Sequence, residues 1–113
     1  MTEDALRQAF IAALPERMVG LEMAYESWRL AQHDAAQALE EFYRLSHNLA
    51  GAAALYGFEE VSAPSRVLEC HLRAVMRDAD NGIVSKDDGV SPLLAAVRSG
   101  VRAVLREAES QVS

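Results

Sequence analysis

His47 is the side chain of this sequence whose type and surroundings are best suited to chemistry. It lies in a run of small residues, SHNLAGAAALYG, that spans Ser46–Gly57. Neutral imidazole is populated near pH 7, and its free ring nitrogen can act as a nucleophile. Gly51 follows four residues later, where a larger side chain would lie beside the ring one helical turn along. Because glycine costs about 1 kcal/mol relative to alanine inside a helix, we infer that open space is needed at His47.

The position of His47 around its predicted helix indicates that the ring is exposed. The apolar stripe of this helix consists of Phe42, Ser46, Leu49 and Ala53. At about 100° per residue, His47 lies about 120° from the middle of that stripe. The residues predicted to share its outward face are Glu40, Tyr43, Arg44, Ala50, Gly51 and Ala54. An ordinary surface histidine, beside a glycine that lets another helix pack closely, would give the same pattern.

The remaining residues that could support catalysis or bind a metal do not form a site. His33 lies at a predicted helix junction, His71 lies on the flank of a stripe, and Cys70 is expected to pack as a small apolar side chain. No HExxH or paired CxxC motif is present, so we predict no metal site. Ser46 adjoins His47 but points to the buried face, which argues against a catalytic triad. One possible function is a helical enzyme with its own turnover. It would need a second acid, a base or a metal set, and we identify none in the sequence.

The composition predicts one folded domain spanning residues 1–113. Hydrophobic residues make up 50% of the chain and charged residues 25%, which is typical of soluble globular proteins, and the length suffices for a single core. Lys and Arg number 11 against 17 Asp and Glu, for a net charge of -6. Nucleic-acid binding depends on clustered basic residues, so we expect no nucleic-acid partner.

Targeting and redox signals indicate a cytoplasmic protein that is not inserted in a membrane. The start, Met1–Asp4, has neither the basic nor the apolar region of a signal peptide. The single cysteine, Cys70, has no internal partner for a disulfide. No apolar run approaches the ~20 residues that cross a bilayer. A monomer is the default expectation.

Apolar residues recur at helical spacing along the chain, and no period-two alternation predicts a strand. A short first helix is predicted from Glu3 to Leu14, with Thr2 as its N-cap. Pro15 suits the first turn of a helix, so it is expected to begin a second one that ends near Ala31.

The third and fourth helices are predicted from capping and breaking residues. Asp34 opens a capping-box pattern for the third helix, and Gly57 is well placed to end it. Pro64 is expected in the first turn of the fourth helix, which therefore starts near residues 60–63 and ends near Asp78. The outward face of the fourth helix is predicted to carry Arg66, Glu69, Arg73 and Arg77.

Residues 79–90 contain two turn signals and form the longest predicted loop. Ser91 followed by Pro92 then gives an N-cap and a first helical position for the last helix. The other predicted connections between helices are short, which favours antiparallel packing of helices that follow each other in the sequence. The predicted fold is therefore all-α, an antiparallel up-down four-helix bundle with a short extra N-terminal helix.

The residues around His47 resemble the signature of histidine-containing phosphotransfer (HPt) domains. That signature reads His-x-Leu-Lys-Gly followed by two small residues, with a further glycine ten residues after the histidine. The matching positions here are Leu49, Gly51, Ala52, Ala53 and Gly57. The helical pattern and the segment Val67–Glu69 are also similar to this family, so the resemblance covers most of the chain.

As this resemblance implies, His47 would accept a phosphoryl group from an aspartyl phosphate on a receiver domain, or from a histidine kinase, and pass it on. The expected partners are therefore response-regulator receiver domains, a histidine kinase, or both. The chain would be a phosphocarrier and not a turnover catalyst. No cofactor of its own is expected, and Mg²⁺ is expected on the partner receiver. The implied docking surface consists of Tyr43, Ala50, Gly51 and Ala54.

One position departs from the family pattern, since Ala50 stands where the family has a lysine thought to hold the phosphoryl group. This leaves open whether transfer is slower, supported by another cation, or absent. Arg44, three residues before His47, is the nearest substitute, although a solvated surface arginine would look the same. A second class of function also stays open: a helical adaptor that binds a receiver or another signalling partner through the same patch without accepting phosphate.

Overall fold

The computed structural model describes residues 2–82 and 89–111, which form four α-helices. The helices are α1 (Glu3–Leu30), α2 (Ala35–Leu55), α3 (Glu59–Asp80) and α4 (Val90–Ser110). No strand occurs in these two ranges, and the predicted all-α bundle is confirmed. None of the helices described is long and apolar enough to cross a membrane.

The helices form an antiparallel up-and-down bundle. The short connections at residues 31–34 and 56–58 return the chain beside the helix that it has just left. Each helix packs against its neighbour in sequence, and α1 also packs against α4, which closes the bundle. The contact between α2 and α3 is the most extensive of these, and this α2–α3 hairpin carries His47.

One continuous apolar core fills the space between the helices. Phe42 of α2 lies near its centre and is fully buried. Its ring centroid is 5.9 Å from that of Tyr25 and 6.1 Å from that of Trp28, both on α1. Trp28 is buried with Phe42, whereas Tyr25 is partly buried and packs against the edge of the core. These contacts join α2 to α1, so packing between helices stabilises α2 more than its own helix propensity does.

The predicted break at Pro15 is wrong, and no separate N-terminal helix exists. α1 is 28 residues long and continues through this proline without a break. A proline inside a helix removes one backbone hydrogen bond and costs ~3 kcal/mol. Packing offsets that cost, because the buried stripe of α1 continues on both sides of the proline. The stripe near Pro15 consists of Phe10, Leu14, Met18 and Leu21.

The predicted helix caps at Thr2 and Gly57 are confirmed, whereas Asp34 is the N-cap residue of α2 without the predicted capping box. The Thr2 hydroxyl accepts a hydrogen bond from the backbone N–H of Ala5 at 3.1 Å, as expected of an N-cap. Gly57 follows α2 with φ +80°, a conformation that glycine adopts without strain. Asp34 makes no capping-box contact: it has φ 60°, and its side chain caps nothing.

The ends of α3 and α4 lie slightly outside the predicted bounds. α3 begins at Glu59, so Pro64 is inside the helix and not in its first turn. α3 continues to Asp80, which shortens the predicted 79–90 loop, and residues 83–88 of that loop lie outside the described ranges. α4 begins at Val90 with Gly89 as its N-cap residue, two residues before the predicted N-cap Ser91. Helix ends commonly differ from sequence patterns by one or two residues.

Candidate functional site

His47 lies on the outward side of α2, as predicted, and 60% of its side chain is exposed. Its Nδ1 atom is 2.6 Å from Oε1 of Glu69 on α3. When Nδ1 carries the proton, it donates to this carboxylate, and the lone pair is left on Nε2. No residue of the described ranges hydrogen-bonds Nε2. The Nε2 atom is therefore the ring nitrogen available to a reaction partner.

Glu69 is buried between α2 and α3, with 11% of its side chain exposed. The prediction that it lies on the outward face of its helix is wrong. A carboxylate with so little access to water needs partners for both oxygens, because its desolvation is costly. His47 contacts Oε1, and Nη2 of Arg73 donates to Oε2 at 3.2 Å. These two contacts fix the orientation of the carboxylate beside the imidazole.

Arg73 and Tyr43 complete the surroundings of His47. Nη2 of Arg73 also donates to the Tyr43 hydroxyl at 3.1 Å, and the guanidinium carbon lies 5.8 Å from the Tyr43 ring centroid. The hydrogen bond with Tyr43 raises the pKa of Arg73, so the guanidinium stays charged. The rings of Tyr43 and His47 stack at an interplanar angle of 19°, with centroids 6.1 Å apart. We call His47, Glu69, Arg73 and Tyr43 the His47 cluster.

The register of the α2–α3 hairpin explains why these four residues meet. His47 and Glu69 each lie eleven residues from Phe58, and Tyr43 and Arg73 each lie fifteen residues from it. A short turn between antiparallel helices brings positions equally distant from the turn side by side. Our sequence reasoning missed Glu69 and Arg73 because it assigned the faces of each helix separately. Equal spacing on either side of Phe58 is the signal that would have found them.

Arg44, the predicted supporting cation, contacts Glu41 instead of the His47 cluster. Its Nε and Nη2 atoms donate to the two carboxylate oxygens of Glu41 at 3.1 and 2.6 Å. The hydrogen bond with Glu41 raises the pKa of Arg44, so this guanidinium is also charged. Any contribution of Arg44 at His47 would require the pair with Glu41 to open.

Of the residues predicted to dock a partner, Tyr43 is half-buried and Ala50 is buried, at 2% exposed. α2 packs against both α1 and α3, so its buried arc is wider than the single stripe that placed Ala50 outside. Gly51 and Ala54 are exposed, and a Cβ added at Gly51 would meet nothing within 4 Å. Leu55, 76% exposed, lies on the same face of the helix. The open space predicted beside His47 is present.

A model of the Hpt domain family matches residues 5–110 of the chain. The chain belongs to the Hpt domain family. Searches of curated proteins and of solved structures gave no match. Hpt domains have a phosphotransfer role in two-component signalling, as carriers of a phosphoryl group. The partners of this Hpt domain therefore belong to the class of receiver domains and histidine kinases.

Within the described ranges, the other reactive side chains of this Hpt domain do not assemble a second site. The Ser46 hydroxyl is buried and donates to the backbone oxygen of Phe42 at 2.9 Å, so it forms no triad with His47. Cys70 is exposed, and the prediction that it packs as a small apolar side chain is wrong, because the helical period turns it away from the face on which Glu69 and Leu72 are buried. Among residues 2–82 and 89–111, no group of three His, Cys, Asp or Glu side chains could hold a metal ion.

Proposed function

We propose that His47 is the phosphoacceptor of this Hpt domain and that Nε2 is the atom that binds the phosphoryl group. One observation carries the proposal: Nδ1 contacts the buried Glu69 carboxylate at 2.6 Å, while Nε2 has no partner in the described ranges. The contact favours the neutral tautomer with its proton on Nδ1. The lone pair of Nε2 is then directed to the open side of α2, where an aspartyl phosphate can approach.

The proposed step balances without a proton leaving the ring. The Nε2 lone pair attacks the phosphorus atom of an aspartyl phosphate, and the bond from phosphorus to the aspartate oxygen breaks. The aspartate leaves as a carboxylate, and the imidazole becomes positively charged because Nδ1 keeps its proton. Glu69 stabilises that charge through the hydrogen bond that also sets the tautomer. Transfer to a second aspartate is the reverse of this step.

In this proposal the partner supplies most of the remaining groups. The receiver brings the aspartate and a Mg²⁺ ion, which neutralises charge on the phosphoryl oxygens during transfer. We expect this chain to bind no metal or cofactor of its own. A single exposed histidine on a rigid helix suits this division, because it can enter the active site of the partner.

We propose a docking surface that consists of Tyr43, Gly51, Ala54 and Leu55. It differs from the surface expected from the sequence by the loss of Ala50, which is buried, and by the addition of Leu55. Gly51 supports close approach because space around it is open. Leu55 supports apolar contact, because a partner that covers so exposed a leucine removes apolar surface from water, which favours binding. Docking here would place a receiver over His47.

Substituting glutamine for His47 is expected to abolish phosphorylation and to change the free energy of unfolding by no more than about 0.5 kcal/mol. The stability change is small because His47 is largely exposed, the glutamine amide can donate to Oε1 of Glu69 in place of Nδ1, and Arg73 keeps its contact with Oε2. Purified receiver domains are charged with radiolabelled acetyl phosphate and Mg²⁺, freed of excess donor, and mixed with the chain. An acid-labile, alkali-stable label on the wild-type chain is expected with at least one receiver.

His33→Gln is the matched control, since His33 is an exposed histidine in the turn between α1 and α2. This variant should take up the label as the wild type does. A label that persists after His47→Gln would contradict the proposal, as would the absence of label with every receiver tested. A receiver that binds both wild type and His47→Gln with equal affinity, and labels neither, would instead support the adaptor function.

A further inference from the structure

A phosphoryl group on His47 adds negative charge, which the side chains of this domain have to stabilise once the receiver has left. The group carries about -1.5 to -2 charges at pH 7, and Glu69 already places a carboxylate 2.6 Å from Nδ1 of the same ring. The Mg²⁺ ion of a receiver departs with that receiver, whereas the phosphoryl group stays on the histidine. Glu69 balances the positive charge of the phosphorylated ring, so between the two transfer steps the charge of the phosphoryl group itself is balanced only if this domain supplies a further cation near Nε2.

Arg73 has the position and the unused donors for this task. Its Nη2 atom is held by Oε2 of Glu69 and by the Tyr43 hydroxyl, at 3.2 and 3.1 Å. Both of these residues also contact His47. The N–H groups of Nε and Nη1 have no partner in the described ranges, and 55% of the side chain is exposed. A guanidinium with free N–H groups suits the oxygens of a phosphoryl group.

We propose that Arg73 is the cation that binds the phosphoryl group on phosphorylated His47, held in readiness by Tyr43 and Glu69. This inference rests on the proposed role of His47. Before transfer, Arg73 balances the charge of Glu69. After transfer, Nη2 keeps its contacts while Nε or Nη1 donates to a phosphoryl oxygen. Only hydrogen bonds rearrange in this response, and no covalent bond changes.

Two other arginines of the α2–α3 hairpin are less suited to this role. Arg44 has its guanidinium occupied by the bidentate contact with Glu41. Arg66 is exposed, lines a shallow groove beside Ala54, and has no hydrogen bond or ion pair within the described ranges. Its side chain is therefore not held near His47. Of the three, Arg73 alone shares its partners with His47.

The equilibrium of phosphoryl exchange between a receiver and this domain is the readout that tests Arg73. A residue that supports only docking changes the forward and reverse rates equally, so the equilibrium constant stays the same. Loss of a contact to the bound phosphoryl group lowers that constant. For Arg73→Gln we expect a decrease of roughly three- to tenfold, and for Arg73→Lys a smaller decrease. The assay uses a receiver that labels the wild-type chain, charged with acetyl phosphate and Mg²⁺.

Arg29→Gln is the matched control, because Arg29 is an exposed arginine on α1 that pairs with Glu26 three residues earlier. Its exchange equilibrium should equal that of the wild type. Tyr43→Phe keeps the ring and removes the hydroxyl that holds Arg73, so it should lower the constant by roughly twofold. Thermal unfolding of each variant verifies that the domain remains folded.

The assignment of Arg73 is overturned if Arg73→Gln leaves the equilibrium unchanged in a domain that is folded and labelled. It is also overturned if Arg66→Gln or Arg44→Gln lowers the constant and Arg73→Gln does not. If no receiver labels the wild-type chain, the proposed role of His47 fails first and the role of Arg73 fails with it. A labelled wild type with an unaffected Arg73→Gln variant removes Arg73 alone.

Discussion

Replacing Gly100 by alanine is expected to lower the free energy of unfolding by about 2–4 kcal/mol. A Cβ at Gly100 of α4 would lie 2.8 Å from the carbonyl carbon of Glu60 and closer still to its oxygen. These atoms belong to the backbone of α3 and cannot rotate away, so the two helices would have to separate. In a thermal unfolding experiment the midpoint should fall by roughly 10 °C.

The close approach at Gly100 follows from the sequence of both helices. Pro64 has no N–H group, so the carbonyl of Glu60 lacks its usual helical partner four residues later. A glycine on the facing helix lets α4 come near this carbonyl, at a cost of about 1 kcal/mol in helix propensity. Gly100 is therefore a packing residue, unlike Gly51, which lies in open space.

Gly20→Ala is the control for this experiment, because a Cβ at Gly20 of α1 would meet nothing within 4 Å. Alanine at this position should raise the free energy of unfolding by up to about 1 kcal/mol, through helix propensity alone. If Gly100→Ala were as harmless as Gly20→Ala, the close packing of α3 and α4 described above would be contradicted.

Replacing Glu69 by alanine is expected to slow phosphorylation of His47 by roughly ten- to a hundredfold. Without the carboxylate, the imidazole loses the hydrogen bond that keeps the proton on Nδ1, and the positive charge that forms on the ring loses its counter-ion. The effect should be seen in the initial rate of label transfer from a charged receiver. We expect no comparable decrease in the free energy of unfolding. Arg73 is 55% exposed, so water can solvate its guanidinium once the carboxylate is removed.

Glu69→Gln separates the two contributions of the carboxylate. The amide oxygen can still accept a hydrogen bond from Nδ1–H, but it carries no negative charge. We therefore expect a rate between those of wild type and Glu69→Ala. Glu26→Gln, a change of the same kind on α1, should leave the rate unaffected. Equal rates for wild type and Glu69→Ala would contradict the role given to this residue.

The bundle could be predicted from the sequence because its apolar stripes persist over whole helices. Leu49 and Ala53 of α2 are buried where the helical period placed them. Pro15 was misread because the local preference of proline for a first helical turn competes with tertiary packing, which sequence periodicity alone does not weigh. The family signature around His47 was also readable, and the match to the Hpt domain family confirms it.

The surroundings of His47 were only half predictable, for a geometric reason. One helical wheel sufficed to place His47, Gly51 and Ala54 outside. Glu69 and Ala50 were misplaced because their burial depends on the neighbouring helix and not on their own. Contacts across the hairpin become predictable only when positions are counted from the turn at Phe58.

The site of phosphorylation on the imidazole ring tests most directly the central claim that His47 accepts the phosphoryl group at Nε2. Proton–nitrogen correlation spectra of the ring, recorded before and after phosphorylation by a charged receiver, report on each nitrogen separately. We predict a proton on Nδ1 in both states and coupling to phosphorus at Nε2 of His47 after transfer. A phosphoryl group on Nδ1, on another residue, or on no residue of the chain would contradict the claim.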